Sequence, residues 1–323
     1  PSTVQFTTQM EWRADQVTFR AWNGWSSAPA PSDIIYQWTR TGTVLPTPGN
    51  ERVHINLWLL NGTAPTRGIG DTMIINSFTF QSGPPSITSV APVYSTVSTI
   101  QPGEWVSIFG TNLAGSTMNW NGDFPTSLGG TSVTINGKAA YLSFVSPTQV
   151  NLQTPDDATV GPAPVVVTTT GGAATSTVTL AKFAPSLLLL DSKHVAGIIP
   201  RSDGSGAYGN GRYDIIGPTG NSLGYPTVAA KAGDNIMLFG VGFGPTDPAV
   251  PAGQPFSGAA PATNPVNLLI NNVPVTSSFA GLSGPGLFQF NLTVPAGLGP
   301  GDVSLGAAVG GVQTPSGVVI SLQ

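Results

Sequence analysis

At 323 residues the chain has room for two or three domains, and only 8% of its residues are charged, against about 25% in an ordinary soluble domain. A net charge of −4 excludes the basic stripe that nucleic-acid binding needs, and no apolar run approaches the ~18 residues that cross a bilayer. The absence of cysteine excludes disulfides, thiolate metal sites and cysteine nucleophiles, and no other pattern calls for a metal or cofactor. The 41 glycines and 30 prolines read as turns rather than disorder, because 40% of the chain is hydrophobic and patterned. A Thr-, Ser-, Asn- and Gly-rich, Lys-poor composition suits a secreted bacterial protein, extracellular or at the cell surface. The chain opens on Pro1, which reads as a processing site or a fragment boundary.

Residues 1 to 82 are dense in aromatics and hold five of the seven tryptophans: Trp12, Trp22, Trp25, Trp38 and Trp58. In VQFTTQMEW, Val4, Phe6, Met10 and Trp12 share one face at period two, which places Trp12 in a core with them. VTFRAW then alternates Val17, Phe19 and Ala21 against Thr18, Arg20 and Trp22, and the two runs form a hairpin. RVHINLWLL sets Val53, Ile55, Leu57 and Leu59 against His54, Asn56, Trp58 and Leu60, and MIINSFTF closes the region as a last strand. Trp22, Trp25 and Trp58 fall on the opposite register or in a loop, where a flat amphipathic ring can stack on a sugar while its N–H finds a partner. With Asn56 and His54 they form the candidate carbohydrate-binding set. His54 also reads as a structural histidine, since no second histidine lies near it in sequence.

The order MEW…VTFRAWNG, IIYQW, HINLWLLNGTAP and MIINSFTF resembles the C-terminal half of the concanavalin-like jelly roll of laminarinase-type (family 16) glycoside hydrolases and their lectin-like relatives. The resemblance implies a partial jelly-roll module over residues 1 to 82. It does not imply hydrolysis, because those enzymes carry their acid and nucleophile in a Glu-x-Asp-x-x-Glu strand upstream of the matched part. Here the available carboxylates are Glu11, Asp15, Asp33, Glu51 and Asp71, which do not assemble into a pair facing one bond. No catalytic residue is expected.

Residues 83 to 86, GPPS, read as a linker. SITSVAPVYS, EWVSIFGTNL, TSVTINGKAAYLSFVS, QVNLQTP, APVVVTTTGG and STVTLAKF then make about seven short strands, the density of an immunoglobulin-like sandwich. The pattern Ile-x-x-Val-x-Pro, followed by Pro-Gly-x-x-Val-x-Ile-x-Gly-x-Asn-Leu, resembles the IPT/TIG family across residues 87 to 182. That resemblance implies a spacer, adhesive or partner-binding module. Trp105 reads as a core residue of its strand, and Trp120, in the loop STMNWNGDFPTS, as an exposed contact residue.

GEWVSIFG at 103 to 110 recurs as GDNIMLFG at 233 to 240, each read as a buried strand between two glycine turns. TSVTINGK at 131 recurs as VNLLINNV at 266, and QVNLQTP at 149 as QFNLTVP at 289. Offsets of 130, 135 and 140 in the same order mean two copies of one domain with loops of different length. In the second copy the glycine loop GSGAYGNG lacks the following helix that would hold a phosphate and reads as a flexible turn. Asp203 beside it lacks the alternating carboxylates of a calcium loop. GFGPTDPAVPAGQP with FQFNLTVPAGLGPGDVSL and GGVQTPSGV resembles an uncharacterised C-terminal β-sandwich domain of secreted acidobacterial proteins.

The fold class expected is therefore all-β: a partial jelly-roll module over 1–82, an Ig-like sandwich over 83–183 and a second Ig-like sandwich over 184–323. The five or so strands of residues 1 to 82 cannot close a jelly roll, and their open edges would pair with a neighbouring chain. The leading expectation is thus a non-enzymatic structural surface protein that forms a homopolymeric filament, with Val4, Phe6, Met10, Trp12 and Trp120 at its contacts. The alternative is a carbohydrate-binding or adhesive module, with polysaccharide as the partner. Nucleic acid and membrane insertion are excluded on both readings.

Overall fold

The structure, a computed structural model, describes residues 5–13, 16–42, 74–78 and 83–323. It is all-β, and the chain divides into two compact units, Pro1–Phe78 and Thr79–Gln323. Among the described residues no helix is long and apolar enough to cross a membrane.

In the first unit three strands, β1 (Phe6–Trp12), β2 (Gln16–Asn23) and β3 (Ile34–Thr41), form an antiparallel sheet in chain order. Arg13 N–H donates to Gln16 O at 2.8 Å and closes the β1–β2 turn, so the expected hairpin forms. A single 3-10 turn, Pro31–Asp33, leads into β3. Ile74–Phe78 carries no strand, which corrects the expectation that MIINSFTF closes the region as one. RVHINLWLL lies outside the described residues.

The second unit contains both sandwiches. In the first, one sheet sets Trp105–Thr111 between Ser86–Pro92 and Gln149–Gln153, with Tyr141–Val145 beyond. The facing sheet is built on Thr131–Ile135, Gly161–Thr169 and Gly172–Leu180. Alternation supplies the core, in which Val106, Ile108, Val133, Ile135, Val150, Leu152, Val165 and Val167 are all buried.

The second sandwich repeats this plan. Asn235–Val241 pairs with Leu287–Thr293 as Trp105–Thr111 pairs with Gln149–Gln153, and Val266–Ile270 pairs with Gly301–Val309 as Thr131–Ile135 pairs with Gly161–Thr169. Even the register corresponds: Ser107 faces Asn151 and Met237 faces Asn291. The Gln-x-Asn of each copy makes the same bond, Gln149 Nε2 to Asn151 Oδ1 at 2.8 Å and Gln289 Nε2 to Asn291 Oδ1 at 2.7 Å.

The second glycine of each signature lies within its strand and does not end it, contrary to the turn expected there. A Cβ at Gly110 would run into the carbonyl of Ser86, and one at Gly240 into the Phe243 ring and the carbonyl of Ser186. Close approach of the neighbouring strand, rather than a turn, requires glycine at both positions. The GSGAYGNG loop is not a loose turn either: Tyr208 and Tyr213 stack at 5.9 Å across it, and a Cβ at Gly206 would meet the backbone of Tyr213.

Candidate functional site

The sheet of the first unit has two unlike faces. Directly opposed residues in antiparallel strands share a face. The register therefore puts Met10, Phe19 and Trp38 in one row, Thr8, Ala21 and Tyr36 in the next, and Trp12, Val17 and Arg40 on the other side of it. Phe6 stands on the same face of β1. The other face carries Thr7, Gln9, Glu11, Thr18, Arg20, Trp22, Gln37 and Thr39.

Burial is the reverse of the sequence expectation. Trp22, expected as part of a sugar platform, is only 4% exposed, and its indole N–H donates to Ser26 O at 2.8 Å. Thr18, further along the same face of β2, is buried too, its hydroxyl 3.0 Å from that of Thr39. The Phe6–Met10–Trp12 face, expected to be core, is open: Met10 is 49% exposed and Trp38 is 45% exposed, with Phe6, Phe19 and Tyr36 also exposed. Trp12 is half-buried. The other face carries Trp22 among polar residues, so alternation marks the Phe6–Met10–Trp12 face as the apolar one without showing that it is Trp22 that is enclosed.

The open face is a shaped surface. Phe19 and Trp38 stack with centroids 5.7 Å apart and planes 28° from parallel, forming an aromatic step with Met10 in the same row and Tyr36 in the next. Trp25, in the loop after β2, is 54% exposed, with its N–H donating to Gln5 Oε1 at 3.1 Å. Beneath the step, on the other face, Arg20 Nε donates to Gln37 Oε1 at 2.9 Å and ties β2 to β3. Sequence reasoning missed Phe19, Tyr36 and Trp38. The signal that could have found them is the alternation of IIYQWTR against VTFRAW, once the strands are paired in register. Val4, His54, Asn56 and Trp58 lie outside the described residues.

Trp120 is not a free loop contact. It is half-buried in its own sandwich, edge-on to Phe124 at 4.7 Å and to Trp105 at 5.6 Å. Trp105 is no simple core residue, for its indole N–H reaches Pro285 O of the second sandwich at 2.7 Å. Among the described residues no group of three or more His, Cys, Asp or Glu side chains is placed to hold a metal.

Residues 85–183 match the IPT/TIG domain family, less than a third of the chain, in agreement with the resemblance read over 87 to 182. The match extends neither to residues 1–84 nor to residues 184–323. No curated protein matches the chain. Among solved structures it is similar to SGBP-B of the Bacteroides ovatus mixed-linkage glucan utilization locus, in complex with a mixed-linkage heptasaccharide, at 11% identity and a TM-score of 0.31, over 95% of this chain and 52% of that one. It is also similar to SGBP-B from a complex xyloglucan utilization locus of Bacteroides uniformis, at 15% identity and a TM-score of 0.22, over 72% and 49%. A third is the plexin A4 extracellular region, at 12% identity and a TM-score of 0.24, over 74% and 18%. The chain thus spans between about a fifth and about half of the length of these structures. Likeness at this level says nothing about what the chain binds.

Proposed function

We propose that the chain is a non-enzymatic carbohydrate-binding or adhesive protein that works outside the cell and takes neutral polysaccharide on the open face of its N-terminal sheet. One observation carries this reading: Phe19 and Trp38 are stacked on each other and left exposed in a row with Met10. A monomeric protein gains nothing in stability from aromatic rings held in solvent, whereas a pyranose face buries them and keeps its own hydroxyls wet. The IPT/TIG sandwich and its repeat then serve as spacer or adhesive modules.

Assembly into a filament is the second reading, since the same apolar face could cover a copy of itself. It ranks second because an aromatic step of one or two rings suits a sugar, while a self-complementary contact needs an interface of about 1,000 Å² or more. The test is a panel of β-1,3-, β-1,4- and mixed-linkage glucans and α-galactans, with light scattering on the same samples. A saturable interaction lost in Trp38→Ala, from a chain that stays monomeric at micromolar concentration, supports the glycan reading. A blank panel with concentration-dependent growth in mass, abolished by the same substitution, replaces it with the filament.

A further inference from the structure

The two sandwiches enter their repeated strand through the same turn, and the two copies of that turn end differently. In the second copy Lys231 N–H donates to Asp234 Oδ2 at 3.0 Å, and Asp234 N–H returns to Lys231 O at 3.0 Å. In the first copy Gln101 N–H donates to Glu104 Oε1 at 2.7 Å, while Glu104 N–H reaches Gln101 O at 3.3 Å and Thr154 Oγ1 at 3.1 Å. Asp234 keeps partial contact with solvent. Glu104, one methylene longer, is buried under the second sandwich.

The burial leaves its other oxygen stranded. Glu104 Oε2 has no hydrogen-bond partner, and among the described residues it is the buried side-chain N or O atom so left. Backbone is packed directly onto it: at Gly242, with φ +77°, a Cβ would collide with Oε2 and with the carbonyl of Ala184. Around this point the seam between the sandwiches is drawn tight. The Gln101 amide clamps Gly244, accepting its N–H at 2.6 Å and donating to its carbonyl at 3.3 Å. Trp105 bonds Pro285 O, and the N–H groups of Ala252 and Gly253 donate to Asp156 Oδ2 and Gln153 Oε1 at 3.1 and 3.0 Å. A cavity of about 260 Å³ lies beside these contacts, and the charged groups that share its walls with Glu104 are Asp156, Asp157 and Lys182.

A carboxylate in this place would have one oxygen without a donor and two acidic neighbours along the same cavity. Lys182, the one cation among the lining residues, holds its ammonium over the Phe183 ring, 5.2 Å from the centroid. Burying an unpaired charge costs several kcal/mol, so the neutral acid is the form that fits. Burial correspondingly pushes the Glu104 carboxyl well above the usual carboxylate range, against the pull of the Gln101 N–H.

We propose that the seam is a proton-controlled joint between the sandwiches, closed while Glu104 carries its proton and loosened when that proton leaves. The sign follows from linkage. The folded state binds the proton more tightly than the unfolded state, so the closed seam is fully stabilised below the ordinary carboxylate range and weakens as pH rises through the raised value. The aspartates of the second unit whose values are lowered act in the opposite direction, which separates the two effects.

The chain has no cysteine, so nitroxide labels can be placed by Val160→Cys and Val312→Cys, at an exposed position in each sandwich. In the full chain at pH 5 the inter-label distance distribution should be narrow. At pH 9 it should broaden or shift in the otherwise unsubstituted chain and stay narrow when Glu104→Gln is added. A distribution unchanged between these pH values, or one that changes equally with Glu104→Gln, overturns the proposal. If Glu104→Gln fails to fold, the carboxyl ¹³C shift of Glu104 decides: proton loss over the same pH range as the change in inter-label distance upholds the joint, and titration at about 4.5 overturns it.

Discussion

In the second sandwich Phe243 meets Phe290 edge to face at 4.6 Å and lies tilted against Phe288 at 5.6 Å, all three sealed in the core, whereas in the N-terminal sheet Phe19 and Trp38 stack at 5.7 Å and both stay exposed. The ring chemistry is the same, and what differs is the covering. A buried aromatic contributes to stability through the water it loses on folding, while an exposed one keeps that contribution for a ligand. On the proposed function, stability belongs to the sandwiches and recognition to the sheet, and substitutions should separate the two.

The largest effect belongs to the core. Phe290→Ala should lower the unfolding free energy of the tandem by about 3–5 kcal/mol, read from denaturant melts, and leave glycan binding by the folded fraction unchanged. A loss of binding in the folded fraction would break the division between the regions. Next comes the seam. Gly242→Ala combines φ +77° with collisions against Ala184 O and Glu104, and should cost about 3 kcal/mol. Gly297→Ala, at φ +82° with open space around it, should cost only about 1–2 kcal/mol by the same melts. Equal costs would mean that the seam is looser than its contacts indicate.

A smaller effect is expected in acid. Burial works to raise the Asp191 carboxyl, but the N–H groups of His194 and Lys193 and the His194 ring, 2.7 Å away, hold it at about 2. Asp302 is held at about 2 by the Lys193 ammonium and the Ser321 hydroxyl, each at 2.7 Å, with burial opposing them and the His194 ring adding to them. Both values lie below the unfolded one, so the stabilisation is complete above about pH 4 and disappears as pH falls through about 2. Thermal melts of Asp302→Asn should therefore show a shallower fall in melting temperature between pH 5 and pH 2 than the unsubstituted chain. An unchanged slope would show that the cluster contributes nothing to the pH dependence.

The repeat was legible in the sequence because it is written in local terms: a glycine–acid turn, an alternating strand and a Gln-x-Asn pair whose bond recurs in both copies. The hairpin of β1 and β2 was legible for the same reason. The burial of Trp22 was not, because it sits among polar residues on its face and its indole N–H is taken up by Ser26 O in the loop after β2, a contact that alternation does not record. Trp105 and Glu104 were read by the pattern of their own strand. What determines their surroundings is a sandwich whose contacting residues, Pro285 and Gly242, come more than a hundred positions later. Gly110 and Gly240 were misread as turns because a glycine required by a neighbouring backbone looks, in sequence, like one required by φ.

The central claim is that the exposed aromatic step binds sugar, and indole fluorescence tests it most directly. Titrating the full chain with soluble glucan oligosaccharides should change the tryptophan emission saturably. Trp38→Ala should weaken binding by about tenfold, or about 1.4 kcal/mol, while lowering the unfolding free energy by about 1 kcal/mol, the size of the lost Phe19–Trp38 stack. Emission that stays flat across the whole panel, or a Trp38→Ala chain that binds as well as the unsubstituted one, would contradict the account.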